Sequence, residues 1–204
     1  PDFVQTAIPI ATSVKQYPMA IAFHEVGRSA IIKDPDWNNG NYDKQPQNGL
    51  SLARQVAHIT YLSQESLNRK FGRDRISDRP GDLNKSENSN GKFGLEYEVQ
   101  SYLQYKGKRF VNRFDANSYL YLSWALDNFD LTKRGKKKVK EVFKEIKTRF
   151  LVVSFSSDWL YPPEHNKELA EGLAGAGVPV TYKELNIPFG HDSFLVYNNP
   201  LGNL

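Results

Sequence analysis

The feature that most constrains this chain lies near its C-terminal end. There "RFLVVSF" (149–155), "PPEHNKELAEGLAGAGV" (162–178) and "PVTYKEL" (179–185) follow one another. The first is an unbroken apolar, β-branched run, the pattern of a strand covered on both faces in a parallel sheet. The second carries prolines in its first turn and glycines at its end, with Leu169 and Leu173 one helical turn apart, so it predicts a helix with its apolar stripe inward. In the third, Val178, Val180 and Tyr182 alternate with polar residues. Strand, helix, strand is a βαβ unit, so this segment belongs to a doubly wound, mainly parallel α/β sheet.

The residues upstream differ in kind. "FVQTAIPIATS" predicts a short buried strand, Ala7 to Ala11. From Met19 the pattern turns helical, with Met19, Ala22, Phe23, Val26 and Ala30 on one face. The stretch 33–49, rich in Pro, Asn and Gly, ends that helix. "LSLARQVAHITYLSQESLNRKFG" (50–72) predicts a second helical region closed by Gly72. Residues 73–94 are almost wholly polar and predict a mobile loop. Two further helices follow, over 95–107 and 115–129, the second with Asp115 as its N-cap. The organisation expected is core strand and loop over 1–14, a helical insertion over 15–130, and the rest of the α/β core over 131–204.

Composition enters at two points. There is no cysteine, which excludes disulfides, thiolate metal sites and a cysteine nucleophile, and fits a cytoplasmic protein. No apolar run is long enough for a membrane span, and the first residues do not read as a signal peptide. The net charge of +4 comes largely from "LTKRGKKKVKEVFKEIK" (131–147). Val139, Val142, Phe143 and Ile146 recur there at helical spacing, which puts the lysines on the opposite face. No aromatics interleave with them as a base-stacking surface requires, so the lysines read as a solvated face rather than a nucleic-acid patch or a cationic rim.

Chemistry concentrates at two strand ends. In an open α/β sheet, reactive groups collect beyond the C-terminal ends of the strands. Asp158 follows "FLVVSF", and His191 follows the next strand in "NIPFGHD". Adjacent strands lie about 4.8 Å apart, so the two loops can touch. An aspartate accepting from one imidazole nitrogen leaves the other free as a general base. The alternative stays open at this level: an aspartate after a strand is often only a cap, and a loop histidine only a surface residue. Asp then His on successive strand ends is the order of the α/β-hydrolase fold, which also needs a serine in G-x-S-x-G upstream. The chain has no such match. Ser29 in "VGRSAII" lacks the second glycine and sits in a helical pattern.

Taken together, "IIKDPDWNNGNY", "ARQVAHITYLS", "RFDANSYLYLSWALDNFDL", "FSSDWLYPPEHN" and "PFGHDSFL" resemble the homoserine O-acetyltransferase family along nearly the whole chain. The resemblance implies the C-terminal part of an α/β-hydrolase fold with a helical lid insertion, without the nucleophile serine. It implies Asp158 and His191 as triad acid and base. It also implies Arg54 and Tyr61 lining the acceptor site, and Asp192 meeting the substrate amine. The residue chemistry agrees: Arg54, His58 and Tyr61 fall on one helical face, a guanidinium suits a carboxylate, and Asp192 suits an ammonium. His58 reads as a packing residue, and His24 and Ser29 gain no role. The resemblance further implies ping-pong acetyl transfer from acetyl-CoA as co-substrate to L-homoserine in methionine biosynthesis, with no permanently bound cofactor and no metal. It implies a homodimer formed through the lid, whose Tyr102, Tyr105, Tyr119, Tyr121 and Trp124 are candidates for that surface, and no nucleic-acid or membrane partner. Rival readings are the same chemistry with another acceptor or donor (serine, deacetylcephalosporin C, succinyl-CoA), or a non-catalytic binding or dimerisation fragment.

Overall fold

A computed structural model describes residues 3–78 and 94–196 of the 204-residue chain. Most of the expected loop 73–94 and the terminal "NNPLGNL" lie outside the described residues.

Three parallel strands form the sheet in the order β1 (Thr6–Ala7), β2 (Arg149–Phe155), β3 (Val180–Leu185). β2 is central, and its Val152, Val153, Ser154 and Phe155 are fully buried, as its unbroken apolar run requires. Helix α7 (Pro163–Gly175) connects β2 to β3 and completes the βαβ unit. Its Leu169, Ala170 and Leu173 pack with Val14, Phe143, Val152 and Val178 in one apolar cluster. β1 is shorter than its sequence suggests. Pro9 has no N–H to give to a ladder, so pairing stops at Ala7 and resumes as a bridge between Ile10 and Val153.

The helices between β1 and β2 form a second layer: α1 (Pro18–Ile32), α2 (Gln47–Tyr61), α3 (Gln64–Phe71), α4 (Glu98–Val111) and α5 (Ala116–Asp127). Ile31, Leu50, Ala53, Phe110 and Ala116 make its core. Asp115 caps α5 by accepting the Ser118 N–H at 2.6 Å, as expected.

Three details differ from the sequence reading. On α1 the buried positions are Ala20, Gly27 and Ile31, while Met19 and Val26 stand 41% and 53% exposed. At Gly27 the inward stripe needs a small residue because its neighbours approach closely: an added Cβ would lie 2.8 Å from the Tyr119 hydroxyl and 3.3 Å from the Ala53 Cβ. The region 50–72 is two helices, not one. Leu62 is extended, and the Ser63 hydroxyl caps α3 by accepting the Ser66 N–H at 2.9 Å. Finally, the lysine-rich helix is a single turn, α6 (Val139–Val142). Its periodic set still faces inward against the α7 cluster, and Lys133, Lys136, Lys137 and Lys138 are exposed.

Candidate active site

Asp158 sits three residues past the end of β2. Its N–H donates to the Phe155 carbonyl at 3.1 Å, which folds the chain into a turn. One carboxylate oxygen accepts the backbone N–H groups of Leu160 and Tyr161 at 3.0 and 2.9 Å. The other faces His191 Nδ1 at 2.9 Å, with the Asp158 side chain wholly buried. The aspartate closes its own turn and also holds an imidazole. It does not cap α7, which begins at Pro163 with no side-chain cap.

His191 follows β3 in a short 3-10 turn, Gly190–Asp192, that leads into α8 (Ser193–Val196). Gly190 fixes this turn. Its φ is +75°, and an added Cβ would lie 2.5 Å from the Ser63 nitrogen and 2.7 Å from the Leu62 carbonyl carbon. Only glycine meets both demands. Its N–H donates to Ser157 Oγ at 2.9 Å and its carbonyl accepts from Ser193 Oγ at 2.6 Å. The break between α2 and α3 is what receives this loop: the Ser63 hydroxyl donates to the Pro188 carbonyl, and the Leu62 carbonyl accepts from Trp159 Nε1 at 2.9 Å. The imidazole is bounded by Tyr161, Phe194 and Tyr61, with ring centroids 5.2, 5.6 and 6.1 Å away. With Nδ1 committed to Asp158, Nε2 is the nitrogen left for a substrate proton.

Helix α2 supplies the opposite wall. The Arg54 guanidinium lies 5.4 Å from the Tyr61 ring and 4.7 Å from Phe110. Burial raises the Tyr61 pKa, so the phenol stays protonated at neutral pH. Among the described residues no carboxylate pairs with Arg54. Burial also pushes the Asp192 carboxyl above its usual range, against the pull of the positive charges of His191, Arg54 and Lys106. Asp158, His191, Arg54, Tyr61 and Asp192 are thus brought to one place, an imidazole flanked by a guanidinium and a carboxylate.

His58, on the same face of α2, is 7% exposed and packs edge-on to Tyr61 and Tyr102 at 5.7 and 5.8 Å. Burial first, then the nearby charges of Arg54, Lys106, Lys70 and Arg113, lower its pKa to about 4. It is a neutral packing group at pH 7, as expected. A second histidine–carboxylate pair stands apart: His24 Nδ1 lies 2.6 Å from Asp127, which also takes Arg28 at 2.6 Å, tying α1 to the end of α5. Ser29 donates to Glu25 at 3.0 Å and touches neither histidine.

Sequence reasoning missed Asn166. It is fully buried, accepts the Thr12 N–H at 3.0 Å, and donates to the Tyr161 and Pro162 carbonyls at 3.3 Å each. It ties the loop after β1 to the loop that carries Asp158. An asparagine in a polar first turn of a helix gives no such signal. Tyr102 and Tyr119, expected on an outer surface, are instead half-buried, because Tyr102 packs on Phe71 and Tyr119 on Phe110. Among the described residues no cluster of side chains is suited to a metal, and no helix is long and apolar enough to cross a membrane.

Comparison with known proteins was made on the sequence and on the fold. No family model matches. The chain is 50% identical over 203 residues to the homoserine O-acetyltransferase of Methanohalobium evestigatum, covering 98% of this chain and 40% of that protein. The crystal structure of homoserine O-acetyltransferase from Bacillus anthracis superposes with a TM-score of 0.80 at 20% identity, over 95% of this chain and 50% of that one. The crystal structure of esterase E22 superposes with a TM-score of 0.81 at 21% identity, over 100% and 54%. The sheet and helices are part of an α/β-hydrolase fold, and the chain spans 38% to 54% of the length of the curated relatives it matches.

Proposed function

We propose that this chain is the base-bearing, acceptor-binding part of a homoserine O-acetyltransferase. The observation that carries the reading is the pairing of His191 with the buried Asp158, set beside Arg54 and Asp192. An amino acid carries a carboxylate and an ammonium at fixed separation, and a guanidinium and a carboxylate on two elements form its complement. Similarity to proteins named homoserine O-acetyltransferase supports homoserine as that amino acid.

In this reading the nucleophile is a serine contributed from outside these 204 residues. His191 Nε2 takes the serine proton as the hydroxyl attacks the thioester carbonyl of acetyl-CoA, and returns it to the departing thiolate. Asp158 keeps the Nδ1 proton in place and stabilises the imidazolium. Homoserine then enters with its carboxylate on Arg54 and Tyr61 and its ammonium on Asp192. His191 removes the hydroxyl proton, the oxygen attacks the acetyl-enzyme, and the serine leaves with the proton returned by His191. The helical layer acts as a lid that keeps water from the acyl-enzyme. Its exposed Tyr121, Leu122, Trp124 and Leu126 make the surface of a homodimer, which a native mass twice that of the full-length chain tests.

The test of function uses the full-length protein with acetyl-CoA and L-homoserine. The reading predicts O-acetylhomoserine and free coenzyme A in equal amounts, and loss of both on His191→Ala. Acetyl transfer that survives His191→Ala contradicts it.

A further inference from the structure

Tyr161 touches both members of the histidine–aspartate pair. Its backbone N–H donates to the Asp158 carboxylate at 2.9 Å, and its ring lies against the His191 imidazole, 5.2 Å between centroids and tilted by 35°. A single hydrogen bond from Nδ1 to Asp158 leaves the imidazole free to turn about that bond. The plane of the ring, and with it the direction of Nε2, is therefore set by what packs on it. The backbone of Tyr161 is held by its own turn and by Asn166, which donates to its carbonyl at 3.3 Å. Its ring is held from elsewhere: the hydroxyl donates to Gln16 Oε1 at 3.2 Å, across 145 residues of chain. Burial raises the Tyr161 pKa, so this hydroxyl keeps its proton at neutral pH.

Gln16 stands on the stretch that leads from the sheet into the helical layer, between the end of β1 at Ala7 and the start of α1 at Pro18. The stretch that returns from α5 lies beside it. The Gln16 N–H donates to the Phe129 carbonyl at 2.9 Å, and the Leu131 N–H to the Val14 carbonyl at 3.0 Å. Gln16 is only 9% exposed, and among the described residues its Nε2 is buried without a partner. A half-satisfied amide is a poor choice for packing alone, since an apolar side chain of the same length fills the space without stranding a donor. What the amide supplies and an apolar side chain does not is the hydrogen bond to Tyr161.

We propose that Gln16 is a positioning residue for the base: through the Tyr161 hydroxyl it holds the ring that sets the plane of His191, and so links the root of the helical layer to the catalytic pair. This rests on the acyl-transfer reading above and adds to it a residue that acts through its neighbour.

The test uses the full-length protein with Gln16→Met, Tyr161→Phe and the two combined. Gln16→Met keeps the length of the side chain and removes the hydrogen bond; Tyr161→Phe removes it from the other side and keeps the ring. Rapid mixing with acetyl-CoA alone reads two quantities: the amplitude of coenzyme A release counts folded sites, and its rate reads the base. The expected result is a rate lowered about tenfold in each single variant, as a small misplacement of a catalytic group implies, with the amplitude kept and KM for homoserine unchanged. The double variant is no slower than either single one, because both remove the same contact. The proposal is overturned if a folded single variant releases coenzyme A at the unaltered rate, or if the two losses multiply in the double variant. If Gln16→Met loses amplitude through misfolding, the rate of Tyr161→Phe decides alone. A second readout does not depend on turnover. The low-field NMR signal of the His191 Nδ1 proton, identified by its loss in His191→Ala, is expected to shift or broaden in both single variants; a signal unmoved in both overturns the proposal. A signal that moves in a protein releasing no coenzyme A keeps the positioning role and loses the acyl-transfer reading, so the two claims fail separately.

Discussion

At the scale of single residues, the site depends on which groups hold charge and which do not. Asp158 is buried and spends one oxygen on its own turn and the other on His191. Asp158→Asn keeps the turn but presents an amide where the Nδ1 proton must be accepted. The expected loss in turnover of the full-length protein is on the order of 10⁴-fold, with coenzyme A release and acetylhomoserine formation falling together. Near-normal turnover would reduce Asp158 to a turn-closing residue. His58 gives a pH prediction. Its folded pKa of about 4 lies below its ordinary value of 6.5, so between those values the unfolded chain binds more protons than the folded one, and stability falls as pH drops. By that linkage the loss reaches about 3 kcal/mol at most by pH 4. His58→Phe should flatten this part of the acid limb in urea unfolding measured from pH 7 to 4; an unchanged slope would place the proton uptake elsewhere. The strand ends singled out Asp158 and His191 but left open whether they pair. Asn166 was not singled out, because its role is to join two loops far apart in sequence, and no local pattern records that.

At the scale of elements, the α2–α3 break and the Gly190 turn are two halves of one joint. The sequence 50–72 is periodic throughout, and local propensity favours one helix. Tertiary contacts decide otherwise: just past α2, the buried Leu62 and Ser63 give their carbonyl and hydroxyl to Trp159 and Pro188. The same reasoning explains α1, where close packing at Gly27 sets which face turns inward and leaves Met19 and Val26 exposed. By contrast β2, α7 and β3 lie where the pattern puts them, since an unbroken apolar run, an apolar stripe at helical spacing and an alternating run each suit one kind of element. Gly190→Ala tests the joint. It introduces a side chain at φ +75° and within 2.5 Å of the Ser63 nitrogen. Backbone strain alone costs about 1 to 3 kcal/mol, and the overlap adds to it. Urea unfolding of the full-length protein should show that loss, and the His191 loop should lose activity even where the protein remains folded. A Gly190→Ala protein with unaltered stability and rate would mean that the joint does not position the base.

At the scale of the whole molecule, the α/β fold class was legible in the sequence, and the role of the histidine rests on the proposal above. What the 204 residues hold is an imidazole paired with a buried carboxylate, a guanidinium and a second carboxylate beside it, and a helical layer packed against them. The isolated chain, with no serine elbow in its sequence, should transfer no acetyl group to homoserine, so the decisive measurement belongs to the full-length protein. That measurement is rapid-mixing coenzyme A release from acetyl-CoA by Arg54→Ala, with and without homoserine. Arg54 is assigned to the acceptor and not to the acetyl group. The account predicts that the acetylation burst survives and that kcat/KM for homoserine falls by about 10²-fold or more, as loss of a charge-assisted pair and of positioning implies. Lysine at position 54 should restore only part, because a point charge does not reproduce the fork. Loss of the burst with an unchanged KM for homoserine would contradict the account, and would move Arg54 from the acceptor to the donor.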